Sequence, residues 1–69
     1  MPQTMTLSPK EYQAIRIRFG FSNYAWRRMI GVSLRQAQRY EGGQTDIPET
    51  VARLMRLFDI HGIPAAWRD

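Results

Sequence analysis

Sixty-nine residues allow one small domain, and a chain of this size buries only about 60% of its unfolded surface, so a second copy is the expected staple. With no cysteine and a single histidine, His61, the sequence offers no disulfide, no thiolate nucleophile and no metal site, and no cofactor or small-molecule ligand is expected. The net charge is +4, nine of the ten basic residues are Arg, and six of them (Arg16, Arg18, Arg27, Arg28, Arg35 and Arg39) lie between Tyr12 and Tyr40 without one Asp or Glu.

Residues 1 to 7 carry neither caps nor a period and are expected to form a flexible arm, leaving 8 to 69 as the folded unit. Ser8, Pro9 and Glu11 then read as a helix start: a capping serine, a proline at the first helical position and a capping-box glutamate. Tyr12, Ile15 and Phe19 recur at three and four residues, with Ile17 off that stripe, and Gly20 ends a first helix over about residues 9 to 19. Ser22 caps a second helix, and Phe21 before it stands at hydrophobic-staple spacing from Trp26. Trp26, Met29 and Ile30 form the expected inward face, Gly31 closes the helix, and Val32 plugs the turn. Ser33 caps a third helix with Ala37 and Tyr40 inward and Leu34, Arg35, Gln38 and Arg39 on the open side; Gly42 and Gly43 end it.

Asp46 and Glu49 read as a capping pair around Pro48, opening a fourth helix over about 47 to 59 with Val51, Leu54, Met55 and Phe58 inward. Beyond Gly62, the segment Pro64 to Trp67 has room for one more turn. Trp67 is expected either to fold back on the first helix or to pack across a dimer interface, with Phe58, Ile60 and Ile63 as the other dimer contacts. The predicted fold is all-α, a bundle of four to five short helices with no strand. No run approaches the ~18 apolar residues of a membrane span, and no secretory leader is visible. The expected location is the cytoplasm, on the nucleoid.

The stretch from Ser22 to Gly43, two short helices joined by a tight glycine turn, has the proportions of a helix-turn-helix unit. A recognition helix needs long polar side chains that reach base edges in the major groove. Leu34, Arg35, Gln38 and Arg39 supply them: Arg pairs with guanine, Gln with adenine, and Leu touches a thymine methyl. Asn23 and Tyr24, in the first turn of the second helix, offer an amide and a hydroxyl to phosphate, and Arg27 or Arg28 a charge. The plainer alternative for each residue is an exposed side chain on a solvated basic face.

Residues 8 to 58 resemble the Cro/C1-type (lambda-repressor-like) helix-turn-helix family. The resemblance rests on Ile15 and Arg16, on Phe19, Gly20, Phe21 and Ser22, on Ile30, Gly31, Val32 and Ser33, and on Arg39, Tyr40, Glu41 and Gly43 followed by Ile47 and Pro48. In the family these read approximately L-R, L-G-L-S, L-G-V-S and R-W-E-x-G. It implies a five-helix DNA-binding domain, dimeric on a pseudo-palindromic operator. By this resemblance Asn23 matches a phosphate-contacting Gln, Ser33, Leu34, Arg35, Gln38 and Arg39 match groove-facing positions, and Arg16 and Glu41 match an ion pair between the first and third helices. The sequence departs from the pattern at Arg27, where the family has Ala, and at Ala37, where it has Val or Ile. The expected accommodation lays the Arg27 stem over Ala37 with its head in solvent.

The expectation is a non-enzymatic, homodimeric repressor of inverted-repeat DNA, an autoregulator of a phage or mobile-element operon without a separate sensing domain. Its backbone contacts would be Asn23, Tyr24, Arg28 and Ser33. The alternative is an antitoxin-like adaptor that uses the scaffold for protein contacts through Phe58, Ile63 and Trp67. An RNA-binding module, with Tyr24 stacking on a base, and an amphipathic membrane binder are weaker alternatives. Ser8, Ser22 and Ser33 are better explained as caps than as nucleophiles, since no acid–histidine partner lies near them in sequence.

Overall fold

The serine caps and glycine stops set most of the helix boundaries. The computed structural model describes residues 6–67 and, among these, contains α1 (Pro9–Arg18), α2 (Asn23–Ile30), α3 (Leu34–Gly42), α4 (Glu49–His61) and a final 3-10 turn, Ala65–Trp67, with no strand. The Ser8 hydroxyl accepts from the Glu11 N–H at 3.1 Å and the Glu11 carboxylate accepts from the Ser8 N–H at 2.9 Å, a complete capping box. Ser22 and Ser33 each accept from the backbone N–H three residues on. Gly31 and Gly43 end α2 and α3 with φ of 73° and 77°. An L side chain rarely takes these values, so each turn depends on glycine.

Three expectations at the ends of the chain need correction. Leu7 is not part of a free arm: it is buried in the core, and the carbonyl of Thr6 accepts from Arg56. Residues 1–5 lie outside the described residues. α4 begins two residues later than the pattern suggests, because Pro48 disfavours helical backbone at Ile47. Pro48 itself becomes the cap, with no side-chain cap bond, so the Asp46–Glu49 pair is not formed. The helix also runs two residues further, so His61 is an exposed last helical residue rather than a loop residue.

The core is centred on Trp26. Its indole stacks on Phe19 (6.0 Å between centroids), lies tilted against Phe21 (5.7 Å) and meets Phe58 edge-on (5.9 Å). Tyr12, Ile15, Met29, Ile30, Tyr40, Val51, Ala52 and Met55 complete it. Each large apolar side chain buried there contributes about 1.5–3 kcal/mol. The Phe21 contact with Trp26 is the staple expected from their spacing. Trp67 folds back on α4 rather than on α1, edge-on to Phe58 at 5.6 Å. No helix among the described residues is long and apolar enough to cross a membrane.

Candidate nucleic-acid interface

The α2–α3 unit is held by a polar network rather than by apolar contact alone. Arg16 on α1 grips Glu41 on α3 with two parallel bonds, Nε to Oε1 at 3.1 Å and Nη2 to Oε2 at 2.9 Å. Its third nitrogen, Nη1, donates to the Phe21 carbonyl at 2.7 Å, in the turn that leads into α2. The pair expected from the family resemblance is therefore present, and one arginine fixes three elements. Burial alone pushes the Glu41 carboxyl up, but the hydrogen bonds from Arg16 and Asn23 and the Arg16 charge outweigh it and hold the group below the usual carboxylate range.

Asn23 departs from expectation. Its amide nitrogen donates to Glu41 Oε1 at 2.8 Å, and its amide oxygen accepts from the Tyr12 hydroxyl at 3.1 Å. Both ends of the side chain are engaged inside the protein, so Asn23 joins α1, α2 and α3 and has only its second amide N–H left to offer outward. Burial, with the Glu41 charge behind it, pushes the Tyr12 phenol up, so this hydroxyl stays a donor. No spacing rule announces the contact, because it needs a carboxylate 18 residues away to arrive from α3.

The eight arginines among the described residues separate into two groups. Arg16, Arg18, Arg53 and Arg56 are ion-paired, to Glu41, Asp59, Glu49 and Glu11 respectively. Arg27, Arg28, Arg35 and Arg39 have no acidic partner among the described residues, and all four lie on α2 and α3. On α3, Arg35, Gln38 and Arg39 are exposed together on the face opposite buried Ala37 and Tyr40. Leu34, expected on the open side, is half-buried, so only part of its side chain is available to a ligand. Ser33 is exposed, and its oxygen serves the α3 cap, which leaves the hydroxyl proton free to donate outward.

On α2, Tyr24 is 60% exposed. Arg28 is also exposed and lines a cavity of about 200 Å³ with Phe21, Ala25, Met29, Ala66 and Trp67. Arg27 lies beside Tyr24, three residues earlier on α2. Its guanidinium lies over the Tyr24 ring at 4.7 Å from the centroid, and its Nε is buried without a hydrogen-bond partner. Helical side chains lean towards the N-terminus, so a residue three positions earlier on the same face is in reach. The ring face then supplies the attraction.

The expected dimer residues are less uniform than the sequence suggests. Phe58 is 1% exposed and belongs to the core, so it is withdrawn from that set. Ile60 is 74% exposed, Ile63 is half-buried, and Trp67 is 47% exposed. Ile63 and Trp67 border an open groove of about 340 Å³ with Leu54, Leu57, His61 and Pro64 over a Phe58 floor. Leu57 is the contributor missed in the sequence, where it stands beside the inward stripe. Among the described residues no cluster of three or more His, Cys, Asp or Glu is placed to hold a metal ion. The sequence matches no known protein-family model, and no curated protein is detectably similar to it.

Proposed function

We propose that the protein is a sequence-specific double-stranded DNA-binding repressor of the Cro/C1 type, acting as a homodimer. The observation that carries this is the sorting of its arginines. Those of α1 and α4 are consumed by carboxylates, while the four on α2 and α3 remain uncommitted and flank an exposed polar face of α3. Among the described residues, that is where uncompensated arginines gather and a polyanion would meet positive charge. In this account α3 lies in the major groove with Arg35 and Arg39 on guanine edges and Gln38 on adenine. Leu34 touches a thymine methyl with the part of its side chain that stays open, and Ser33, Tyr24 and one of the two α2 arginines add backbone contacts. Two copies joined through the groove beside Ile60, Ile63 and Trp67 would read half-sites about 10 bp apart and exclude polymerase by occupying a promoter.

The decisive experiment is selection from a random duplex pool, followed by titration of the selected and a scrambled sequence with light scattering on the complex. A recovered inverted repeat, bound by two copies and at least a hundredfold tighter than the scrambled duplex, is the expected result. Equal affinity for both would remove the sequence-specific repressor. The apolar groove around Trp67 supports a second account, an adaptor that docks a protein partner. A monomer without duplex affinity would favour it.

A further inference from the structure

We infer that Arg27 and Tyr24 act as one phosphate-gripping unit, with Tyr24 the platform that positions the Arg27 guanidinium against the DNA backbone. This rests on the duplex-binding account above and assigns a contact at a position where the resembled family carries alanine. Arg27 has no carboxylate and no hydrogen-bond acceptor among the described residues, so none of its donors is spent inside the protein. Its guanidinium lies over the Tyr24 ring. A guanidinium stacked on an aromatic face uses its π surface and leaves the N–H edge directed sideways, the geometry in which it takes a phosphate with two parallel bonds. Tyr24, in turn, is a large aromatic exposed on a helix whose other face fills the core. Holding Arg27 accounts for its presence there.

The neighbouring arginine is placed differently. One residue along an α-helix is a turn of about 100°, which puts Arg28 on the side that faces Trp67 and Ala66 and leaves Arg27 on the side of Tyr24. Two adjacent arginines of equal charge therefore serve different surfaces, and the backbone contact on α2 passes from Arg28 to Arg27. Tyr24 and Arg27 are the second and fifth residues of α2. The grip thus lies beside the unsatisfied N–H groups of the first turn, whose positive potential adds to the guanidinium charge.

The test is the salt dependence of affinity for one duplex, measured for the parent chain, Arg27→Gln, Arg28→Gln, Tyr24→Phe and Tyr24→Leu. Removing one phosphate contact lowers the log–log slope by about 0.9, so over a fourfold rise in salt Arg27→Gln should lose about 3.5-fold less affinity than the parent. The reduction should be the same on selected and scrambled duplexes. Tyr24→Phe keeps the ring and should retain the parent slope; Tyr24→Leu should fall to the level of Arg27→Gln, and combining the two should add nothing. Arg27→Gln exchanges one unpartnered donor for an amide at the same depth, so its melting temperature should not drop. If it does, Tyr24→Leu, at an exposed position with Arg27 intact, carries the comparison. A parent slope in Arg27→Gln, a slope loss in Arg28→Gln instead, or a Tyr24→Leu variant like the parent would overturn the proposal while duplex binding stands. A parent chain that binds no duplex would remove the functional account itself.

Discussion

The arginines of α1 and α4 and those of α2 and α3 are the same side chain in opposite circumstances. Arg16, Arg18, Arg53 and Arg56 each meet a carboxylate, whereas Arg27, Arg28, Arg35 and Arg39 meet none among the described residues. The acids lie outside the span from Tyr12 to Tyr40 in sequence, near helix ends, and folding delivers Glu11, Glu49 and Asp59 to the α1–α4 side. Exposed pairs of this kind each contribute only about 0–1 kcal/mol. Their larger consequence is electrostatic: they cancel the field over one half of the molecule and leave it standing over the other. Counting charges in the chain does not locate a binding face; counting which charges remain unspent does.

Trp26 underlies both halves, and its loss is the largest effect expected. Trp26→Ala should cost about 3–5 kcal/mol and leave no cooperative thermal transition, which circular dichroism will show. Next comes Glu41, which ties the paired half to the unpaired one. The side chains of Arg16 and Glu41 are 14% and 19% exposed. Glu41→Ala should therefore cost somewhat less than a fully buried pair, about 2–3 kcal/mol, and would leave Arg16 as a fifth arginine without a carboxylate among the described residues.

The same carboxylate predicts a pH dependence. Its folded pKa is below its unfolded one, so its contribution is complete above about 4.5 and is lost as the pH falls further. Denaturant titrations should show this acid loss in the parent and a reduced one in Glu41→Gln. An unchanged acid limb would mean that the network does not hold the helices.

On the unpaired side, Arg35→Ala and Arg39→Ala should each cost about 1–3 kcal/mol of duplex binding and relax preference at one base pair, with stability nearly unchanged. The smallest effect is expected for the paired group. Arg18→Gln and Arg53→Gln should change stability by less than about 1 kcal/mol and barely alter duplex affinity. If these two weaken binding as much as Arg35→Ala, the division into spent and unspent arginines has no functional meaning.

Local rules carried the sequence a long way. Ser8, Ser22 and Ser33 cap, Gly20, Gly31 and Gly43 stop, and Tyr12, Ile15, Trp26, Met29, Ala37 and Tyr40 point inward, because each depends on residues within one helical turn. The start of α4 was misplaced because Asp46 and Glu49 have cap spacing while Pro48 constrains the residue before it. Asn23 and Leu7 read as outward, and Phe58 as both core and dimer contact, because their partners come from elsewhere in the chain: Glu41 from α3, Trp26 and Trp67 for the Phe58 ring, and the assembled core for Leu7. Arg27 combines both situations. Its departure from the resembled pattern was visible in sequence, but the attraction of the Tyr24 face, which decides where the guanidinium rests, was not.

The aromatic chain from Trp26 through Phe58 to Trp67 also gives the protein two fluorophores in unlike surroundings. Trp26 is enclosed and should emit in the blue with little access to acrylamide. Trp67 stands half in water at the mouth of the groove and should emit further to the red and quench readily. A molecule seated in that groove would shift the second signal and leave the first in place, whereas loss of packing would move both. Occupation of the groove, by a second copy or by a partner, can thus be told apart from unfolding by light emission alone, with no label attached.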